Sequence, residues 1–164
     1  MISAPDVGWV DAPLRRFVND ARVIYALLLH PTGQVLGQFG FTRRVDVMGA
    51  CSLAAAIHAA SAELGKELEG TPFRELHFAG PSREVFMSEV TLPGASYLFL
   101  TVFDATTSLG LVQLYFRQLA AAIAAARPAA RASLPADQLE QDLTDHLTLV
   151  LGRPPVPRPP HPSS

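Results

Sequence analysis

One long amphipathic segment constrains the fold of this chain more than any other feature. Asp46, a favoured N-cap residue, precedes a helix predicted from Val47 to about Leu68, and Gly70-Thr71-Pro72 ends it. Apolar residues recur along this helix at spacings of three and four, at Leu53, Ile57, Ala60, Leu64 and Leu68. The spacing is typical of a helix that buries one stripe, and we interpret this stripe as the side that faces the core.

The opposite side of the same helix carries small residues where a solvent-facing side normally carries charge. These residues are Cys51, Ala55, Ala59, Ala62 and, at the end, Lys66. Because small side chains allow another backbone to approach closely, we expect this side to pack against a second helix. The alternative is an alanine-rich exposed surface, which helix propensity alone favours.

Apolar runs of strand length lie on both sides of the long helix. The run from Val23 to His30 and the run from Gln34 to Gly40 flank the turn Pro31-Thr32-Gly33 and predict a hairpin. Three more strands are predicted at residues 73–79, 84–92 and 97–103, because turn residues separate them.

Two further amphipathic helices are predicted at residues 12–21 and 108–126, which gives the order α-β-β-α-β-β-β-α. Short connections within each group of strands predict an antiparallel sheet with helices on its faces, an α+β fold. This domain is assigned to residues 1–127. A linker at 128–134, an amphipathic helix at 135–151 and a proline-rich disordered tail at 152–164 are predicted to follow it.

The composition indicates a recognition surface and excludes several classes of function. Of the 164 residues, 49% are hydrophobic and only 17% are charged, so we expect another copy or a partner to cover part of the apolar surface. The net charge is −2 and basic residues occur at most in pairs, which argues against nucleic acid as a partner. No apolar run has the length of a membrane span and the N-terminus carries acids, so a cytoplasmic protein without membrane insertion is expected.

The residues that could carry chemistry lack the spacing that chemistry requires. Neither a Walker-type nor a GxGxxG phosphate loop is present, and the histidines show no metal-ligand spacing, so no cofactor or metal is predicted. Cys51 lies two helical turns from His58, too far for a nucleophile and its base. We therefore predict no enzyme activity. Arg43-Arg44 has two interpretations, an arginine finger for a partner's phosphate site or a solvated loop.

Five segments in order carry a resemblance to a known family. They are VIYALLLHPTGQVLGQFG, LAAAIHAASAELGKEL, FRELHFAG, VFDATTSLGLVQL and, more weakly, the helix at Leu139–Leu151. On these segments, which cover about residues 23–126 and the C-terminal helix, the chain resembles the Roadblock/LC7 family and its bacterial MglB-like members. The resemblance implies a profilin-like sandwich with a five-stranded antiparallel sheet, the long helix on one face and the terminal helices on the other.

The resemblance also implies a homodimer, formed by pairing the long helices and adjacent strands of two copies. MglB-like proteins bind MglA, a small Ras-like GTPase, and stimulate GTP hydrolysis by remodelling its active site without supplying a catalytic arginine. The implied function is a GTPase-activating regulator in bacterial cell polarity or gliding motility, positioned at a cell pole. Two alternatives stay open: a Roadblock scaffold that binds a GTPase without activating it, and a small-molecule sensor.

The resemblance assigns a partner surface to individual residues. The small-residue face with Cys51, Ala55, Ala59 and Ala62 is the implied dimer surface. The GTPase contact is implied in the middle of the long helix, at Ile57, His58, Ala59, Ala60 and Glu63. The C-terminal helix would touch the GTPase elsewhere, through Leu143 and Leu147.

Overall fold

The computed structural model describes residues 8–40, 46–132 and 152. In this part of the chain the elements follow the predicted order α-β-β-α-β-β-β-α. They are α1 (Gly8–Ala21), β1 (Tyr25–Leu29), β2 (Val35–Gly40), α2 (Val47–Glu69), β3 (Glu75–Ala79), β4 (Glu84–Leu92), β5 (Ala95–Phe103) and α3 (Leu109–Ala132).

The strands form one antiparallel sheet in the order β2-β1-β5-β4-β3. Strand β5 lies at the centre because its apolar run is buried on both faces, whereas β2 and β3 lie at the edges. Gly33 in the β1–β2 turn and Gly94 in the β4–β5 turn adopt φ angles of 95° and 74°, a backbone region that favours glycine. The predicted α+β class and the five-stranded sheet are confirmed.

Helices α1 and α3 cover one face of the sheet. They direct large apolar side chains inward, and Leu14 and Ile123 are fully buried. The Phe99 ring of β5 lies 5.0 Å from the Phe17 ring and 5.1 Å from the Phe116 ring, measured between centroids. Aromatic packing of this kind adds to the free energy gained from burial, so this layer forms the larger part of the core.

Helix α2 covers the other face, as the resemblance implies. Its ends are those that the sequence predicts. The Asp46 carboxylate accepts a hydrogen bond from the Gly49 N–H at 3.1 Å, which is an N-cap. At the other end Gly70 has a φ of 74° and its N–H donates to the Lys66 carbonyl, which is a left-handed C-cap.

The two sides of α2 are reversed relative to the prediction. The apolar stripe interpreted as the core side is exposed, with exposed fractions of 66% at Leu53, 38% at Ile57, 53% at Leu64 and 67% at Leu68. Part of the small-residue side, with Cys51, Ala55 and Ala62, faces the sheet instead, because small side chains let the helix approach it closely, whereas Ala59 and Lys66 are exposed. At Gly65 a Cβ atom would lie 2.4 Å from the Phe73 backbone nitrogen, so only glycine fits there.

The C-terminal predictions have different outcomes. Helix α3 continues through Pro128 to Ala132, so the linker predicted from residue 128 does not begin there; the alanine-rich sequence on both sides favours helix. The following segments lie outside the described residues: the remainder of the linker, the helix at 135–151 with Leu143 and Leu147, the tail after Gly152, and Arg43-Arg44. The chain divides into two compact units, Met1–Arg127 and Pro128–Ser164, and all packing considered below lies in the first.

Candidate interaction surface

The exposed side of α2 presents a row of large apolar side chains to solvent. We call Leu53, Ile57, Leu64 and Leu68 the leucine stripe. Leu53 and Ile57 are one helical turn apart, as are Leu64 and Leu68, and the two pairs lie on the same side of the helix with Ala60 between them. Exposed leucines are common singly, but a contiguous row is typical of a surface that another protein covers.

Strand β3 adds a further apolar side chain on the same side of the sheet. Leu76 packs into the core cluster beneath α2, and Phe78 points the same way because side chains alternate along a strand. Phe78 is 45% exposed. Phe78 was not among the site residues predicted from the sequence. The alternation of Leu76 and Phe78 indicates one apolar face of a strand, but the exposure of Phe78 follows from the edge position of β3.

Three of the four predicted dimer residues lie on the side of α2 that faces the sheet, whereas Ala59 is exposed. Cys51 is fully buried against the sheet, and Ala55 and Ala62 are half-buried on the same side. Their assignment to an exposed dimer surface was therefore wrong for Cys51. The physical reason is that small side chains serve close packing against a sheet as well as against a second helix.

Four of the five predicted GTPase contacts lie together on the exposed side of α2. Ile57, Ala59, Ala60 and Glu63 are exposed. His58 is the exception: its Nε2 lies 4.0 Å from Glu89 Oε2 on β4, so its ring faces the sheet.

The His58 contact belongs to a small polar cluster between α2 and the sheet. The Ser96 hydroxyl on β5 donates a hydrogen bond to Glu89, the carboxylate that faces His58. Both ionisable side chains are mostly buried. The cluster therefore connects α2 to two central strands, and His58 contributes to holding the helix rather than to an outer contact.

Strand β3 leaves a row of backbone groups free at the edge of the sheet. The Glu89 N–H donates to the Arg74 carbonyl at 3.1 Å. Alternate residues of an antiparallel strand bond to the same neighbour, so the even-numbered residues of β3 bond to β4. The N–H and C=O groups of Glu75, His77 and Ala79 point away from β4, where the described part of the chain provides no further strand.

Polar contacts fasten β3 on the side opposite to α2. His77 Nε2 lies 2.6 Å from Glu84 Oε2, and the His77 ring stacks on Phe103. Gln113 on α3 donates a hydrogen bond to Glu75. These contacts fix the edge strand before any partner arrives, so the edge and the leucine stripe form a preformed surface.

The titratable groups do not form a reactive cluster in the part of the chain that the structure describes. Burial raises the pKa of the Cys51 thiol and of the Tyr25 hydroxyl, which keeps both groups neutral. Hydrogen bonds from the Thr106 hydroxyl and N–H lower the pKa of Asp104 in the loop before α3. Within the described residues no group of three or more His, Cys, Asp or Glu side chains is placed to hold a metal ion.

Two helices, α2 and the Leu109–Arg127 part of α3, are long and apolar enough to cross a membrane by length and composition alone. In this fold each of them packs one side against the sheet. The apolar character of α2 is therefore explained by a helix with a small inner side and a large, apolar outer side.

Solved structures similar to this chain were found, whereas no protein-family model and no curated protein matches it. MglB from Myxococcus xanthus is 24% identical, with a TM-score of 0.70 over 79% of this chain and 95% of that one. An MglB with a tetrameric arrangement is 27% identical, with a TM-score of 0.66 over 79% of this chain and 95% of that one.

A Roadblock/LC7 domain from Streptomyces avermitilis is 16% identical, with a TM-score of 0.57 over 75% of this chain and 96% of that one. The chain has the Roadblock/LC7 fold. The resemblance to Roadblock/LC7 and MglB-like proteins that the sequence carries is thereby confirmed. In Roadblock/LC7 terms, the leucine stripe lies on the long helix and the free edge belongs to the strand after it.

Proposed function

We propose that this chain is a homodimeric, MglB-like regulator of a small Ras-like GTPase of the MglA type. In this proposal it stimulates GTP hydrolysis by remodelling the GTPase active site, so the chain supplies a binding surface and is not itself an enzyme. The observation that carries the proposal is the exposed leucine stripe of α2, together with the free edge of β3. A fold shared with MglB supports it.

The leucine stripe has the symmetry that a two-fold dimer requires. Leu53 and Leu68 are equally far in sequence from the midpoint between Ala60 and Ser61, and so are Ile57 and Leu64. In an antiparallel pair of α2 helices about that midpoint, Leu53 meets the partner's Leu68 and Ile57 meets the partner's Leu64. Such reciprocal contacts define an isologous interface.

The charges of α2 favour the same antiparallel arrangement. Its acids, Glu63, Glu67 and Glu69, all lie in the second half of the helix, with Lys66 bonded to Glu63 at 2.7 Å. Antiparallel pairing places this acidic half against the partner's first half, which carries no Asp or Glu. Parallel pairing would bring the two acidic halves together and would be opposed by charge repulsion.

The free edge of β3 extends the proposed dimer. If two β3 strands pair about His77, the outward backbone groups of Glu75, His77 and Ala79 all find partners. This register overlaps the full length of β3 and places Phe78 opposite the partner's Leu76, an apolar cross-strand pair. Self-association is further supported by the tetrameric arrangement of one MglB neighbour.

A second arc of α2 remains available to the GTPase in such a dimer. Ala56, Ala59 and Glu63 are exposed and, by the angular step of a helix, lie beside the leucine stripe rather than within it. Small side chains there would allow a GTPase backbone to approach both paired helices. We propose that this arc is the GTPase contact. We also propose that the protein acts in the cytoplasm, at a cell pole, in cell polarity or gliding motility.

The dimer is tested by placing a charge in the leucine stripe. We expect Leu64→Glu to weaken self-association more than about 100-fold, because it buries a carboxylate at the centre of an apolar interface. The measurement is light scattering after size-exclusion chromatography, across a range of protein concentrations. Met48→Glu is the matched control, since Met48 is an exposed apolar residue of α2 outside the stripe. If the Leu64→Glu protein were as dimeric as the wild type, the leucine stripe would not be the dimer interface.

The proposed stimulation of GTP hydrolysis is tested by measuring single-turnover hydrolysis by an MglA-type GTPase with and without this chain. We expect stimulation by the wild type and its loss in Ala59→Arg, which remains dimeric, because the arginine blocks close approach. Glu69→Arg is the control at the end of the same helix. If the chain binds the GTPase in every variant and the hydrolysis rate never changes, the scaffold function replaces the proposed one.

A further inference from the structure

The side chains of His77 and Glu84 form a pair beside the free edge of the sheet, on the face opposite to α2. They are 34% and 36% exposed, and the His77 ring stacks on Phe103 with 6.2 Å between the ring centroids. The stacking and the contact to Glu84 hold the imidazole in one orientation, while part of its surface stays open to solvent. The dimer proposed above uses the backbone of His77 and leaves this side chain without a role.

The contact to Glu84 leaves one nitrogen of the His77 ring available as a ligand. An ionised carboxylate only accepts hydrogen bonds, so in the 2.6 Å contact His77 Nε2 carries the proton and donates it to Glu84 Oε2. In the neutral ring Nδ1 then has a free lone pair, and Nδ1 forms no hydrogen bond with another residue that the structure describes. A carboxylate bound to the second ring nitrogen is the usual arrangement at metal-binding histidines, because it orients the ring and makes the ligating nitrogen more basic.

Pairing of two β3 strands brings two such rings together. In the register proposed above, His77 stands directly opposite the partner's His77, because the two-fold axis passes between them. The Cβ atoms of directly opposite residues lie about 5 Å apart, and both rings are on the same face of the joined sheet. One metal ion, at about 2.0–2.1 Å from each ligating nitrogen, spans such a gap.

The site is incomplete in a single copy. Within the described residues of one chain, no three His, Cys, Asp or Glu side chains are placed to hold a metal ion. Two-fold symmetry doubles the set, because the partner supplies a second imidazole and a second carboxylate behind it. A site of this kind is therefore not visible in the sequence or in one protomer.

The charge around the two rings favours a cation. Glu75 precedes His77 by two residues and therefore lies on the same face of β3, and Glu84 lies on the neighbouring strand. Each copy contributes both carboxylates, and Gln113 fastens Glu75 through a hydrogen bond. Imidazole ligands suit zinc and similar transition metals, whereas Mg²⁺ and Ca²⁺ prefer sites made of oxygen atoms.

We propose that the dimer binds one divalent transition-metal ion, best matched by Zn²⁺, between His77 and the partner's His77. This site rests on the β3 pairing of the proposed function. The two Nδ1 atoms bind the ion, Glu84 of each copy orients its ring, and water molecules fill the remaining positions of a tetrahedral coordination. An ion held by both strands stabilises only the paired state, so it tightens self-association by mass action.

Sedimentation velocity of the full chain, with added Zn²⁺ or with a chelator, tests the proposal. We expect Zn²⁺ to tighten association of the wild type by more than about tenfold, and isothermal titration calorimetry to give one ion for two chains. His77→Gln should associate as the wild type does with the chelator but should not respond to Zn²⁺, because it removes the ring nitrogens and keeps the backbone groups. His30→Gln is the matched control, since His30 is an exposed histidine outside β3, and it should respond like the wild type.

Glu84→Gln tests the orienting carboxylate separately from the ligand. The glutamine has the same size, but its neutral amide no longer fixes the proton on His77 Nε2. We expect the affinity of the dimer for Zn²⁺ to fall by about tenfold or more, with association in the chelator unchanged. If Glu84→Gln weakened association in the chelator and left Zn²⁺ affinity unchanged, Glu84 would only fasten the strand.

The outcomes separate this site from the dimer on which it depends. If the wild type dimerises in the chelator and Zn²⁺ changes nothing, the metal site is wrong and the dimer stands. If His77→Gln responds to Zn²⁺ like the wild type, or if each chain binds its own ion, the ion lies elsewhere and the proposal is overturned. If the wild type stays monomeric with and without Zn²⁺, the proposed dimer fails, and the metal site fails with it.

Discussion

The two helical layers of this sandwich bury the sheet in opposite ways. Helices α1 and α3 place large side chains against it, such as Phe17 and Phe116, and apart from Leu111 and Leu114 expose polar and small residues. Helix α2 places small residues against it, such as Cys51 and Ala54, and keeps its leucines outside. The difference teaches that a helix can be docked by close approach alone, which leaves its large apolar side chains available for a partner.

The largest expected effect concerns the layer with large inner side chains. Phe116→Ala should lower the free energy of unfolding by about 3–5 kcal/mol, because it removes a buried ring packed against Phe86 and Phe99 and leaves a cavity. Urea denaturation at fixed protein concentration measures it. Leu111→Ala, on the same helix but half exposed, is the control and should cost much less. If both variants lowered the free energy of unfolding equally, the buried and exposed sides of α3 would not differ in their contribution to stability.

An intermediate effect is expected where α2 approaches the sheet. Ala54→Leu should destabilise the protein by about 1–3 kcal/mol, because added methylenes have no space in a packed interface. Ala56→Leu, two residues away on the exposed side, should change the unfolding free energy by no more than about 0.5 kcal/mol. Thermal and urea unfolding of both variants compare them directly. If Ala56→Leu proved the more costly variant, the orientation of α2 would be wrong.

The smallest effect is expected for the leucine stripe in a single protomer. Leu53→Ser should change the unfolding free energy of the dilute, dissociated protein by about 0.5 kcal/mol or less, since Leu53 is largely exposed. The same variant should be clearly destabilised at concentrations where the wild type self-associates, because binding stabilises the folded state by mass action. A large loss in the dilute protein would assign Leu53 to the core after all.

Local signals in the sequence predicted the elements of the fold well. Turn residues separate the strands, and Asp46 and Gly70 mark the ends of α2 in both the sequence and the structure. The strand β4 has the predicted ends, Glu84 and Leu92. These features depend only on residues that are close together in the sequence, so they can be predicted from the sequence of a single chain.

The orientation of α2 could not be predicted in the same way. Periodicity shows that a helix has an apolar side and a small side, but it does not show which of them faces the sheet. Leu64 and Cys51 were each compatible with a position facing the sheet and with a position facing a partner. The outcome depended on Ala54 fitting closely against the sheet and on Gly65 fitting against the Thr71–Phe73 connection, which leaves the leucines exposed. The edge position of β3, which exposes Phe78, likewise follows from strand order and not from its own residues.

The free edge of β3 also bears on which foreign strands this protein can attract. An uncovered edge is a template for aggregation, and charged side chains beside it discourage unrelated strands from adding to it. Glu75 supplies such a charge at the start of β3. In the register proposed for two copies it stands opposite the partner's Ala79, where it meets no like charge. The Glu75 carboxylate would thus repel unrelated acidic strands without opposing pairing with a second copy of β3. The selectivity of strand pairing would then be determined by the edge strand itself.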